Sequence, residues 1–241
     1  MEIPDTRMHT ARYTSTSLAY QEIKSWILMG EVPASIRLRE EKIAERIGVS
    51  RTPVREAFLR LHGERFLERH IDGGYRVATP SAKLIRELYE VRRALEIFAI
   101  RRTIETGADR DLTMLRQLEE DWLVLREDYH SPDPEFVLLD EDFHGRLAES
   151  AGNRQLAEEL RRVNERIRPV RSHDFVTSGR LAATVEQHLK ILGALIAGDG
   201  VKAQDRLDRH IRESQEIVEA ASFIALAKML NAAEEKEANQ W

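Results

Sequence analysis

One passage of this sequence does not read as helix, and its position limits the folds available. Phe66–Ile71 and Tyr75–Thr79 are short β-favouring runs on either side of Asp72-Gly73-Gly74. Two such runs around a glycine-rich turn predict a β-hairpin. Three helices are predicted ahead of it. Leu18, Ile23, Trp26 and Ile27 form an approximate helical stripe within Ser15–Met29, ended by Gly30 and Pro33. Glu40–Ile47 closes on Gly48, just past its last apolar residue. Ser50 is placed to cap a further helix from Arg51 to about His62. Three helices followed by a hairpin is the order of a winged helix-turn-helix.

After Pro80 and Ser81 the pattern is helical almost to the end. Leu84, Leu88, Val91, Leu95 and Phe98 step alternately by four and three, which predicts a seam facing the core. Gly107, His130–Pro134, Gly152-Asn153, Arg168–Arg180 and Gly198–Gly200 mark breaks. They divide the remainder into six or seven helices of an all-α bundle. The expected fold is therefore mainly α, with a winged helix-turn-helix over 1–79 and a helical bundle over 81–241. The polar tail from Ala232 is expected to fray. No uncharged apolar run approaches the roughly 18 residues that span a bilayer. The N-terminus lacks the layout of a signal peptide, so the expected setting is cytoplasmic, with no membrane partner.

Composition narrows the chemistry. Cysteine is absent, so thiol catalysis and thiolate-bound zinc are excluded, and any metal site must use His and carboxylates. Taken over the whole chain, the net charge of −5 disfavours nucleic acid. Residues 1–80, however, carry 13 Lys/Arg against 11 Asp/Glu, so the acidic excess belongs to the rest of the chain.

On the third predicted helix, Val54, Phe58 and Leu61 define a buried face. Arg51 and Arg55, four residues apart, project together away from it. Two guanidinium groups at a helix N-terminus suit guanine O6/N7 or phosphate in a major groove. The Ser50 and Thr52 hydroxyls suit phosphate. The alternative is a surface helix whose arginines pair with Glu45 and Glu56.

Leu38-Arg39-Glu40-Glu41-Lys42-Ile43-Ala44, followed by Gly48-Val49-Ser50-Arg51-Thr52-Pro53-Val54-Arg55-Glu56-Ala57, resembles the signature of the GntR family of bacterial regulators. The resemblance implies that Ser50, Arg51, Thr52 and Arg55 contact operator DNA and that the wing glycines, Gly73 and Gly74, approach the minor groove. Many members carry Arg where this chain has Glu41. Arg39 stands nearby and is a candidate to replace that contact.

Histidines at 144, 188 and 210 lie on apolar faces: His144 with Val137 and Leu147, His188 with Val185, Leu192 and Leu195, His210 with Leu207 and Ile217. Asp140, four residues before His144, shares its stripe. A buried carboxylate requires a cation, which leaves two answers: an arginine partner, or a divalent metal (Zn, Ni, Mn or Fe) held by Asp140, His144, His188 and His210. Asp142 points to another face.

Asp140-Glu141-Asp142-Phe143-His144, Gly152-Asn153, the His188–Leu192 run, Gly198-Asp199 and His210 together resemble the FCD effector domain of FadR-like GntR regulators. The resemblance implies that these Asp and His residues bind a divalent ion, and it places an anion-contacting arginine at Arg92. The competing role for Arg92 is a salt bridge with Glu96. A regulator, expected to be a repressor, would bind a palindromic operator as a homodimer and be released by a small carboxylic acid at the metal. The alternatives are a metal-dependent hydrolase-like enzyme or a direct metal sensor. With no separately placed general base, no nucleophile motif, and no HExxH or GxGxxG pattern in the sequence, the expectation is a non-enzyme.

Overall fold

A computed structural model of the chain describes residues 14–34, 36–106, 112–128, 135–171 and 179–235, the last as backbone alone beyond 220. The expected breaks at Gly107 and His130–Pro134 lie outside the described residues, as does 236–241. The chain divides into two compact units, one up to Ala78 and one from Thr79 to Asn231.

The first unit contains α1 (Ser15–Leu28), α2 (Glu40–Ile47), α3 (Arg51–Gly63), β1 (Leu67–Arg69) and β2 (Tyr75–Val77). The Thr14 hydroxyl caps α1 by accepting from Ser17 N–H. Gly48 ends α2 in the left-handed conformation, so α3 turns sharply away from it. Ser50 is the N-cap of α3 by backbone geometry, but its hydroxyl makes no capping bond, contrary to expectation. Val54, Phe58 and Leu61 are buried as the periodicity required, beside Ile23, Ile43, Leu67 and Val77. The strands are antiparallel, with Leu67 opposite Val77 and Arg69 opposite Tyr75. They are shorter than the sequence suggested. Ile71 lies in the turn and is exposed, while Gly73 and Gly74 take φ of 81° and 80°.

The second unit contains, among the described residues, α4 (Ala82–Glu105), α5 (Leu112–Asp128), α6 (Phe136–Glu149), α7 (Arg154–Arg171), α8 (Arg180–Ile196) and α9 (Gly200–Glu235). One apolar cluster joins all six, from Ile85 and Leu88 on α4 to Leu207 and Ile211 on α9. Two expectations need correction. The α4 face that enters this core runs through Ile85, Leu88, Tyr89, Arg92, Glu96, Ala99 and Ile100. Val91 and Phe98 of the predicted seam remain 48% and 49% exposed. Leu84, Leu88 and Leu95 do meet the core, but Arg92 and Glu96, both polar, occupy the positions that Val91 and Phe98 were expected to share with them. The break expected over Arg168–Arg180 also begins later: α7 continues through Pro169 to Arg171. Proline removes one helical hydrogen bond, but buried Val170 and Arg171 hold the last turn against the core.

Candidate metal centre and nucleic-acid interface

Three helices of the second unit converge on one polar centre. Asp140 and His144 are one turn apart on α6, His188 comes from α8 and His210 from α9, and all four side chains are buried. One ligand atom from each lies within 4.8 Å of the others. His210 Nε2 is 3.2 Å from both His144 Nε2 and His188 Nε2. Asp140 presents its oxygens at 3.6 Å to His144 Nε2 and His188 Nε2.

A second ring of side chains surrounds these four. Arg171 donates from Nη2 to Asp140 Oδ2, and Arg92 Nη2 stands 3.9 Å from the same oxygen. Glu96 accepts from Arg92 Nε at 2.7 Å and contacts His144 Nδ1 at 2.5 Å. His210 Nδ1 meets Gln187 Oε1 at 2.7 Å, and Gln187 Nε2 donates to Glu213 at 2.6 Å. The His188 ring lies flat on Phe143, centroids 3.6 Å apart, with the Trp122 ring 4.3 Å away at a steep angle.

The electrostatics match a preformed cation site. Burial alone would raise the Asp140 carboxyl, but Arg171, then His144, His188 and Arg92, hold it well below its ordinary range, so it is ionised. Glu96 is likewise lowered against its burial, by His144 and Arg92. His188 and His210 are both depressed well below the usual histidine value, first by burial and then by the neighbouring imidazole. They are neutral at pH 7, the state in which imidazole ligates a metal. Among the described residues, Asp140 Oδ1 has no hydrogen-bond donor, and Arg92 Nη1 and Nη2 have no acceptor, although all are buried. A carboxylate and three imidazoles gathered this closely suit a single divalent ion with donors about 2.0–2.2 Å from it. The donor set fits.

The arginine partner posed for Asp140 is Arg171, which takes one oxygen and leaves the other facing the histidines. Asp142 is exposed and pairs with Arg146, away from the centre. Arg92 is buried and makes the Glu96 salt bridge, with its outer nitrogens left over. Arg171, Gln187 and the contact from Glu96 to His144 were missed. The Arg92–Glu96 spacing was a signal for half of that network. Nothing local signalled the rest.

In the first unit, Arg51 and Arg55 stand side by side on α3, their side chains 55% and 60% exposed. Ser50, Thr52 and Arg39 are exposed, and so is Gly73 in the hairpin turn, with Gly74 partly covered. The arginines pair with different acids from those expected. Glu40 takes Arg55 through three contacts of 3.1, 3.2 and 2.8 Å, and Glu41 takes Arg51 at 2.9 Å. Glu56 instead accepts from Thr16. Exposed ion pairs are worth about 0–1 kcal/mol, so both guanidinium groups can exchange these carboxylates for phosphate or guanine.

Comparison with known proteins agrees with this two-part layout. Residues 16–77 match the model for bacterial regulatory proteins of the gntR family, and residues 87–213 match the FCD domain. The chain is 37% identical over 161 residues to the Nta operon transcriptional regulator of Aminobacter aminovorans, covering 66% of this chain and 73% of that one. It is 30% identical over 185 residues to the HTH-type transcriptional repressor RspR of Escherichia coli, covering 75% and 78%. Among solved structures, E. coli McbR/YncC shares the fold with a TM-score of 0.68 at 23% identity, over 86% of this chain and 97% of that one.

Proposed function

Because the chain belongs to the gntR family of bacterial regulatory proteins and carries an FCD domain, we propose that it is a homodimeric repressor whose hold on a pseudo-palindromic operator is released by a small organic acid. The reading head spans 1–79 and the effector domain 81–241. Twofold protein symmetry matches paired half-sites. In each half-site Arg51 and Arg55 read bases or phosphates, Ser50, Thr52 and Arg39 hold the backbone, and the wing at Gly73 and Gly74 lies along the minor groove. The apolar residues Val91 and Phe98, exposed seven positions apart on α4, supply the face for the second copy. Such a protein works in the cytoplasm. Among the described residues no helix is long and apolar enough to cross a membrane.

One observation carries the effector reading: a buried centre in which, among the described residues, an acceptor, Asp140 Oδ1, and two donors, the outer nitrogens of Arg92, are left without hydrogen bonds. Leaving such groups unsatisfied costs about 1–3 kcal/mol each. Asp140, His144, His188 and His210 would hold the ion, which when bound supplies a Lewis-acid position for a carboxylate oxygen. Arg92 offers its Nη1–Nη2 edge, the geometry that receives a carboxylate with two parallel hydrogen bonds. The acid acts by binding one arrangement of the dimer more tightly than the other, which shifts the population that reads DNA.

The test is a thermal-shift screen of organic acids on zinc-loaded protein, with and without chelator, followed by fluorescence anisotropy on the operator. The expected acid stabilises only the loaded protein and weakens operator binding. An acid that binds equally with and without operator refutes the release mechanism. Release by the ion alone would make the protein a metal sensor, and consumption of the acid would make it an enzyme. Either result overturns the proposal.

A further inference from the structure

The imidazoles of the centre are aimed by different devices, and two of these devices dictate where a proton sits. A carboxylate only accepts hydrogen bonds, so the Glu96 contact at 2.5 Å places a proton on His144 Nδ1. Glu96 is itself fixed by Arg92 through its other oxygen. The same logic runs through a relay on the opposite side. Glu213 accepts from the Gln187 amide nitrogen at 2.6 Å, which turns Gln187 Oε1 toward His210 and requires a proton on His210 Nδ1. In both rings Nε2 is the atom left for the centre, and these two nitrogens face each other at 3.2 Å. His188 differs: among the described residues its Nδ1 has no hydrogen-bond partner, and stacking on Phe143 beside Trp122 sets its plane.

We infer that Glu96 and Gln187 are positioning residues of the metal centre, holding His144 and His210 in the Nδ1-protonated form so that Nε2 is the ligating atom of each. His188 differs in having, among the described residues, no partner that fixes its Nδ1, while its Nε2 meets His210 Nε2 at 3.2 Å. The inference rests on reading Asp140, His144, His188 and His210 as metal ligands. Outer partners of this kind, when removed, lower metal affinity about 10–100-fold. Gln187 gains its role only through Glu213, since without that carboxylate its amide could face either way.

The experiment uses the full chain. Long-range proton–nitrogen correlation on metal-free protein labelled at histidine nitrogen reads the tautomer of each ring, and competition with a chromophoric chelator reads zinc affinity. In wild-type protein His144 and His210 should carry the proton on Nδ1. Gln187→Leu, at a partly buried position, should shift His210 toward the Nε2-protonated form, leave His144 unchanged and weaken zinc binding about 10–100-fold. Glu96→Gln, which keeps an acceptor for His144, should retain the tautomer and lose less affinity than Glu96→Leu. Wild-type protein with Nδ1 unprotonated on either ring overturns the inference without any variant. A Gln187→Leu protein with native tautomers and undiminished zinc affinity overturns it too. Wild-type protein that shows the expected tautomers yet binds no zinc overturns the metal centre itself, and with it the role given to these two residues.

Discussion

Replacing Arg171 with Met tests how the centre balances its charge. The guanidinium is fully buried and donates to Asp140, whose carboxyl burial would otherwise push upward. Methionine keeps most of the side-chain length and removes the charge. Removing one partner of a buried pair costs about 3–5 kcal/mol, because the surviving charge has nothing to offset its desolvation. Arg92 Nη2, 3.9 Å from the same Asp140 oxygen, keeps part of the attraction. The lower end, about 3 kcal/mol, is therefore expected. For a unit of this size each kcal/mol moves the melting midpoint by about 2–4 °C, so metal-free Arg171→Met should melt about 6–12 °C below metal-free wild type. A divalent ion at Asp140 replaces the lost positive charge, so zinc should raise the variant's midpoint by more than it raises the wild type's. Circular-dichroism melts in chelator and in zinc measure both quantities. A metal-free variant within about 1–2 °C of wild type would mean that Asp140 does not depend on Arg171. Equal zinc shifts in the two proteins would mean that the ion does not contact Asp140.

Three further outcomes are expected. Arg55→Ala should weaken operator binding by about 1–3 kcal/mol, the value of a good bidentate base contact, with zinc content unchanged; anisotropy at fixed salt and metal analysis check the two halves. Lowering the pH should destabilise the metal-free protein. His188 and His210 are depressed below the usual 6.5, so below that value the unfolded chain takes up protons that the folded one refuses, and stability is lost as pH falls. Asp140, held below its usual 3.8, contributes stability above that value that is lost only in stronger acid. A midpoint that rises between pH 7 and pH 5 contradicts this assignment. Val91→Asp with Phe98→Asp should convert dimer to monomer in sedimentation while changing the monomer's stability by no more than about 0.5 kcal/mol, since both side chains are half exposed.

The hairpin and the first three helices were legible because each is closed by a local signal, such as the glycine at 48 or the pair at 73 and 74. In the helical unit the pattern located α4 but misjudged its inner face. Apolar periodicity assigns polar residues to solvent, whereas Arg92 and Glu96 are buried against each other and against His144. Asp140 and His144 could be paired from their spacing on one helix. His188 and His210 could be joined to them from their apolar faces only as one of two open answers, sharpened by resemblance to a known domain, because contacts across 22 to 70 residues of chain leave no periodic trace. Arg171 was hidden for a different reason: it falls within the Arg168–Arg180 stretch expected as a break, whereas α7 continues to Arg171.

Trp122 has a consequence beyond packing. Its ring lies 4.3 Å from His188, buried in the same cluster, and the chain has only two other tryptophans, Trp26 and Trp241. An indole this close to His188, a proposed ligand, is an optical gauge of the centre. Copper or nickel bound there would quench its emission, while zinc, with a filled d shell, would leave it bright. Occupancy and exchange of one ion for another can then be followed by intrinsic fluorescence in unlabelled protein, with Trp122→Phe, which keeps only Trp26 and Trp241, as the control for emission away from the centre.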